Sequence, residues 1–374
     1  MTDARPPGWP GVLGRLVAGQ DLDDAAAAWA MGSILAGDAT SAQIAAFVTS
    51  LRAKGETPDE VAALVRVMLG HARLLDLGDP ATAVVLDVVG TGGDQSHTVN
   101  ISTMTALVCA AAGAPVVKHG NRAASSSTGT ADVLEELGVS IELEPDEVAA
   151  SVRSLGIGFC FAPVHHPAMR FAGPTRRELG IPTVFNILGP LTNPAGANAA
   201  LIGCASAPLA PVMADVLRRR GVRAMVVRGE DGLDEISTAA ATSVWDATSG
   251  EVRQIVLDPA DVGIAVADPA LLRGGDRVRN AALLRATLAA GAPSAQDPDA
   301  DRVRAIRDAV ALNGAAALAC YDAARAADAG VRVDGRPLAV RITEAMPRAR
   351  QAMDSGAALA LLDRWAASTR THRG

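Results

Sequence analysis

The chain has 374 residues, 49% of them hydrophobic and none in a low-complexity tract, enough to bury a large core in two domains or one elaborate one. A net charge of −7 and an aromatic content of only 3% supply neither the basic surface nor the stacking rings of a nucleic-acid binder, whereas a small anionic ligand needs only a few local donors and a divalent cation. No apolar run reaches the roughly 20 uncharged residues of a membrane span, and the opening MTDARPPGWPG lacks the basic-then-apolar order of a signal peptide, so a cytoplasmic protein without membrane partners is expected.

Helical signals come first along the chain. In DDAAAAWAMGSIL the apolar residues recur at helical spacing, and SAQIAAFVTSLRAKG ends on Gly55, where a C-terminal cap is wanted. TPDEVAALVRVML opens with Thr57 as cap, Pro58 at the first helical position and Glu60 closing a capping box. Residues 1–77 therefore read as a small helical domain.

Beyond Leu77 the pattern changes. AVVLDVVG and PVVKHGN read as buried parallel strands with the helix ISTMTALVCAAAGA between them, a βαβ unit. The same order recurs as ANAALIGCA, PLAPVMADVLRRRG and RAMVVRG. An α/β domain with a mostly parallel central sheet is expected over 78–374. Within it, HPAMRFAGPTRRELG is helical in pattern, while TVFNILGPLTNPAG reads as a glycine- and proline-punctuated connection that can cross between domains. Cys109, Cys160, Cys204 and Cys320 are far apart in apolar surroundings and read as reduced core residues, with no structural metal.

Three loops at strand ends carry candidate chemistry. In GTGGDQSHTVNIST the glycines let backbone approach a ligand while Asn100, Ser102 and Thr103 open a helix whose amides can bind phosphate oxygens. A tight strand-to-helix turn explains the glycines equally well; the hydroxyl cluster favours a ligand. In KHGNRAASSSTGTADVLEELG, Lys118 supplies a point charge and Ser125, Ser126, Ser127 and Thr128 supply hydroxyls, with Thr130 as the candidate cap of the helix that follows. In RGEDGLDEIST the adjacent Asp234 and Glu235 suit magnesium, a hard cation that keeps waters and bridges to substrate phosphates. A solvated acidic turn is the plainer reading of that pair taken alone.

GTGGD followed by TVNIST, then KHGNRAASS, HPAM, RRELG, TVFNILGPLTNP and GLDEIS, resembles in order and spacing the anthranilate phosphoribosyltransferases of tryptophan biosynthesis, from about residue 10 to about 350. The resemblance implies a helical domain, completed by helices from about 166–193, that hinges on the α/β domain and pairs in a homodimer. The implied substrates are anthranilate and 5-phosphoribosyl 1-pyrophosphate, with Mg2+ as cofactor. The positions matching the donor site are Gly90, Gly93, Asp94, Thr98, Asn100, Ile101, Ser102, Thr103 and Lys118, then the run His119, Gly120, Asn121, Arg122, Ala123, Ala124, Ser125 and Ser126, and Thr130. Asn121 and Arg176 match the anthranilate site, with Gly90, His119, Ala162, His166 and Gly189 near its path; Ser102, Asp234 and Glu235 match the magnesium ligands.

Those residue types suit the chemistry. Transfer at an anomeric carbon passes through an oxocarbenium-like state while negative charge gathers on the departing pyrophosphate, which amides and a metal stabilise. The anthranilate amine is uncharged at neutral pH, so no nucleophile or base is assigned, and Arg176 is expected to grip the carboxylate through its planar fork. Adjacent His165 and His166 point different ways along a chain and make a poor chelate, so positioning or packing is expected of them. Gln95, Thr130 and Arg170 depart from the usual family residues without removing a charge or a ligand. Two alternatives share the architecture: a pyrimidine nucleoside phosphorylase, which resembles this chain in GTGG but not in the continuation after the lysine, and a non-catalytic nucleic-acid-binding relative, which should carry a basic groove.

Overall fold

Four helices open the chain: α1 (Gly8–Val17), α2 (Asp24–Ala36), α3 (Ser41–Lys54) and α4 (Pro58–Gly70). A computed structural model describes residues 8–78, 84–123, 128–294, 296, 298–333 and 335–370. Helix ends follow the local sequence. Asp23 caps α2 by accepting from the Ala26 amide, Gly55 ends α3, and Thr57 with Glu60 forms the expected capping box behind Pro58 on α4. A second box, Thr40 with Gln43, starts α3 and was not anticipated.

The rest of the chain runs β1 (Leu86–Gly90), α5 (Ile101–Ala111), β2 (Val116–Gly120), α6 (Thr130–Glu136), α7 (Pro145–Leu155), β3 (Ile157–Phe161), α8 (Ala162–His165), a 3-10 turn (Pro167–Phe171), α9 (Gly173–Leu179), α10 (Phe185–Leu191), β4 (Ala199–Gly203), α11 (Leu209–Arg219) and β5 (Arg223–Gly229). It continues through β6 (Thr242–Asp246), β7 (Arg253–Leu257), two further 3-10 turns, α12 (Arg277–Leu288), α13 (Ala300–Asp328), α14 (Leu338–Asp354) and α15 (Ala357–Arg370). The strands form one seven-stranded sheet in the order β3-β2-β1-β4-β5-β6-β7, with β1 to β5 parallel and β6 and β7 antiparallel. The protein is thus an α-helical bundle joined to a mostly parallel α/β sheet.

Strand alternation divides the core. Leu86, Val88, Leu201, Met225 and Val227 face a cluster with α5 and α12 to α15, where the alanine-rich α13 lies close against β4 and β5. Val89, Ala200, Ile202 and Val226 point the other way, into a cluster shared by α1 to α4, α10 and α11. The bundle core is therefore continuous with one face of the sheet. The 3-10 turn at 167–171 packs on α2, and α9 packs on α3.

Several expectations need correction. TVFNILGPLTNPAG is not a plain connection: it contains α10, a seven-residue helix with Pro190 in its last turn, where the ring forgoes one intrahelical bond and the helix ends a residue later. HPAMRFAGPTRRELG is broken at Gly173-Pro174 into a 3-10 turn and a new helix. Thr130 is not the cap of α6; Gly129 is, and Thr130 is the first helical residue. Strand β3 (IGFCF) and the antiparallel pair β6 and β7 were not marked out by the sequence. The four cysteines are buried and free, and among the described residues no helix is long and apolar enough to cross a membrane.

The sheet parts at its centre. Strand β1 pairs with β4 over five residues, but its register with β2 is limited to Leu86 opposite Val116. Side chains take up the freed backbone groups beyond that point: Lys118 Nζ donates to the Val88 carbonyl at 2.5 Å, the His119 amide donates to Asp87 Oδ1 at 3.2 Å, and Asn193 Nδ2 donates to the Val117 carbonyl at 2.7 Å. The strand order also reverses at β1 and β4, the place where open parallel sheets bind ligands beyond their strand tips.

Candidate active site

The first loop leaves β1 at Gly90 and turns through left-handed conformations at Gly92, Gly93, Gln95 and His97, with φ of 66°, 85°, 58° and 51°. Gln95 occupying such a position explains why glycine is at ease there. The loop is held from behind by a segment the sequence reading did not connect with it. The Val99 amide donates to the Leu272 carbonyl and the Gly274 amide to the His97 carbonyl, both at 2.9 Å, and Thr98 bridges Arg273. Asn100 precedes α5 without a side-chain cap bond. Its amide instead donates to the Thr128 carbonyl at 3.2 Å, and its oxygen accepts from buried Asn280 at 3.1 Å. The first and second loops are thereby tied together, with Thr103 Oγ1 3.5 Å from Thr130 Oγ1.

Asp234 and Glu235 arrive on the loop after β5. Gly90 and Gly203 make room for them, because a Cβ on either would strike Asp234. Asp234 Oδ2 accepts the Gly92 amide at 2.7 Å. Burial, with Asp94 and Glu235 as like-charged neighbours, pushes the Asp234 carboxyl well above its usual range. Glu235 is raised to about 8, chiefly by burial, against the pull of Lys118 and the Ser102 amide. Lys118, only 2% exposed, also donates to Ser102 Oγ at 3.1 Å. Burial lowers its own pKa, while Asp87, Glu235 and Asp234 act to raise it. Gly90, Asp94, Ser102, Lys118, Asp234 and Glu235 are thus brought to one place. Asp87, buried beside β2 and raised to about 6 by burial, was missed in the sequence.

Two acids held so far above their ordinary pKa have too little positive charge around them, and oxygen donors of this kind fit a hard dication. Among the described residues no three His, Cys, Asp or Glu side chains close a preformed cage.

A second group lies across from the acids. His119 Nδ1 faces the Gly189 carbonyl at 2.9 Å and His166 Nε2 faces the Thr192 carbonyl at 3.0 Å, with the two rings 5.0 Å apart. A nitrogen facing a carbonyl must carry the hydrogen, so His119 Nε2 and His166 Nδ1, which have no partner among the described residues, are bare acceptors. Burial lowers His119 to about 3 and His166 to about 4, leaving both rings neutral. His165 turns away to the Arg73 carbonyl at 3.0 Å, so the adjacent pair does diverge. The His166 amide donates to the Ala162 carbonyl at 2.8 Å.

Arg176 is not joined to this group directly. It stands 5.6 Å over the Phe185 ring at the start of α10, the helix that also carries Gly189. Among the described residues no acid pairs with it, and burial lowers its pKa. Asn121 is exposed just past β2, and Arg122 pairs with Asp132 and Glu135. Ala124, Ser125, Ser126 and Ser127 lie outside the described residues.

Two family models match, the helical bundle domain of a glycosyl transferase family over residues 10–72 and its a/b domain over 82–359. Fold and strand-tip site thus define a glycosyl transferase. An anthranilate phosphoribosyltransferase of Rhodococcus jostii (strain RHA1) is 53% identical across 96% of this chain and 93% of its own, and one of Salinispora arenicola (strain CNS-205) is 53% identical across 96% and 95%. Among solved structures, the anthranilate phosphoribosyltransferase of Thermus thermophilus superposes with a TM-score of 0.83 at 38% identity, covering 96% of this chain and 99% of that one. The Saccharomyces cerevisiae enzyme in complex with PRPP and Mg gives 0.81 at 26% identity, covering 98% and 99%. The chain belongs to the anthranilate phosphoribosyltransferase family.

Proposed function

We propose that the protein transfers the phosphoribosyl group of 5-phosphoribosyl 1-pyrophosphate to the amine of anthranilate, releasing pyrophosphate, in L-tryptophan biosynthesis. The observation that carries this reading is half-buried Asp234 with buried Glu235, both raised above the usual carboxyl range, beside Lys118 at the parted strand tips in a chain of this family. The donor lies over the first two loops. Its phosphates meet the amides that open α5 at Ile101, Ser102 and Thr103 and the charge of Lys118, with Gly93, Asp94, Thr98, Asn100 and Thr130 around it and the run from His119 to Ser126 alongside.

Mg2+ held by Ser102, Asp234 and Glu235 supplies charge neutralisation to the leaving pyrophosphate. Arg176, already desolvated and without a carboxylate partner among the described residues, receives the anthranilate carboxylate. Asn121 and the neutral rings of His119 and His166 line the path to the anomeric carbon, between Ala162 and Gly189, and add no positive charge that would compete with Arg176. The amine attacks as the bond to pyrophosphate breaks, with orientation rather than covalent catalysis providing the rate.

The same reading divides the chain into 1–77, completed by 166–193, and 78–374. It makes the enzyme a cytoplasmic homodimer associating through the helical domain, where an open cleft is lined by Trp9, Trp29, Gly32 and Ala36 together with the polar Ser33 and Asp38. The test is direct. With Mg2+ and the donor, purified protein should consume anthranilate, followed by loss of its fluorescence, while uridine or thymidine with phosphate should give no product. Phosphorolysis of either nucleoside, or no loss of anthranilate, would overturn the proposal.

A further inference from the structure

Asp132, in the first turn of α6, was passed over in the sequence. One of its oxygens, Oδ2, accepts two backbone amides at once, Ala123 at 3.1 Å and Gly129 at 2.9 Å. Those amides belong to the two shoulders of the second loop. They lie so close together that a Cβ on Gly129 would strike the Ala123 nitrogen. The Ala131 amide closes the same neck on the Asn121 carbonyl at 3.2 Å. The other oxygen, Oδ1, meets Arg122 Nη1 at 3.3 Å, and Arg122 is also held by Glu135. Burial alone would raise this carboxyl, but the Ala123 and Gly129 amides and the Arg122 guanidinium together hold it below its usual value, as expected of an acceptor serving several donors.

Resting on the donor reading above, we propose that Asp132 is a positioning residue for the phosphoribosyl donor: its carboxylate fixes the neck from which Asn121 and Arg122 extend and so sets the loop against the first loop and α5. It touches no reacting atom. The carboxylate fastens the exit from β2 to the start of α6, and Thr128 and Thr130, which contact Asn100 and Thr103, lie on the same short stretch as Gly129.

The test uses the full chain with Mg2+ and 5-phosphoribosyl 1-pyrophosphate, measuring donor binding by calorimetry together with both KM values and kcat. Losing two hydrogen bonds to a charged acceptor, Asp132→Ala should weaken donor binding and raise the donor KM about tenfold or more. The anthranilate KM and the melting temperature should stay close to those of the wild type. Asp132→Asn, whose single oxygen can still serve both amides, should recover most of the affinity. Glu135→Gln, which loosens Arg122 but leaves the Asp132 clamp on the Ala123 and Gly129 amides in place, should weaken donor binding less than Asp132→Ala does.

An alanine variant that binds donor as tightly as the wild type overturns the role of Asp132 and leaves the enzyme reading intact. So does an alanine variant in which both KM values, kcat and melting temperature worsen together, which is a merely structural effect, or a Glu135→Gln variant as weak as the alanine one. A wild-type protein that binds no donor overturns the functional reading, and this proposal with it. Should the alanine variant not fold, amide exchange on the wild type decides: both the Ala123 and Gly129 amides should be protected at least about tenfold over an open chain, and free exchange of either overturns the clamp.

Discussion

Glu60 in the helical bundle and Glu235 at the strand tips are both buried, and their surroundings treat them in opposite ways. Glu60 of α4 is 1% exposed, yet its oxygens accept the Leu22 amide, the Lys54 ammonium and the Thr57 amide, each at 2.9 Å, and the Thr57 hydroxyl at 3.0 Å. Glu235 is also buried, but it lies beside two other acids with one ammonium and one amide to offset them, and is raised to about 8. Around Glu60 the partners match the charge, whereas its neighbour Glu56 among the described residues meets only Arg52, at 3.7 Å, and is raised by burial. At the strand tips burial and like-charged neighbours favour the protonated acids, and the magnesium proposed above would be what lets them ionise.

The widest separation between the two regions comes from removing the site acids. Asp234→Asn with Glu235→Gln should lower turnover on the order of a thousandfold and abolish the magnesium requirement for donor binding. The melting temperature should hold or rise, because like charges are relieved; a collapse of stability would erase the contrast. Glu60→Gln should do the reverse, costing about 2 kcal/mol in denaturant unfolding by weakening the charge-assisted bonds from Leu22, Thr57 and Lys54, although Lys54 keeps Asp21 at 2.7 Å, with turnover per folded molecule unchanged. Gly90→Ala comes next. Its backbone is not left-handed, so the new methyl acts only by displacing Asp234, and a misplaced ligand should cost about a hundredfold in kcat/KM with little loss of stability.

A pH series sharpens the comparison further. His119 and His166 are depressed to about 3 and about 4, so the unfolded chain takes up protons near pH 6.5 that the folded chain refuses. Stability should therefore fall as pH drops below about 6.5, approaching about 1.4 kcal/mol per pH unit for each ring. Between pH 6.5 and 5, chemical denaturation should show this slope reduced in the double variant His119→Gln with His166→Gln. The smallest effect belongs to the bundle: Thr57→Ala should cost about 1 kcal/mol in the same measurement and leave the slope untouched.

Much of this arrangement was readable along the chain because it is local. The capping box at Thr57, the two βαβ units and the three strand-end loops all rest on neighbours a few residues apart. Lys118 was placed beside the first loop by its position at a strand end, and its ammonium does reach Ser102 at 3.1 Å. What escaped is held by distant partners. Asn280 and the 272–274 segment brace the glycine loop across some 180 positions, and no local pattern announces them. Strand β3 is buried along its whole length and gives no alternation to detect. Asp132 did leave a signal, an acidic residue three positions after a glycine cap, but the hydroxyls around it drew the cap reading to Thr130 instead.

The glycines of the two walls also bound what this scaffold can be adapted to do. At Gly90 and Gly203 not even a methyl fits, since Asp234 lies directly against both strand tips. At Gly189 a Cβ would meet nothing within 4 Å. On the functional reading proposed above, a small substitution at Gly189 on α10 is therefore accommodated, whereas any at Gly90 or Gly203 must displace Asp234.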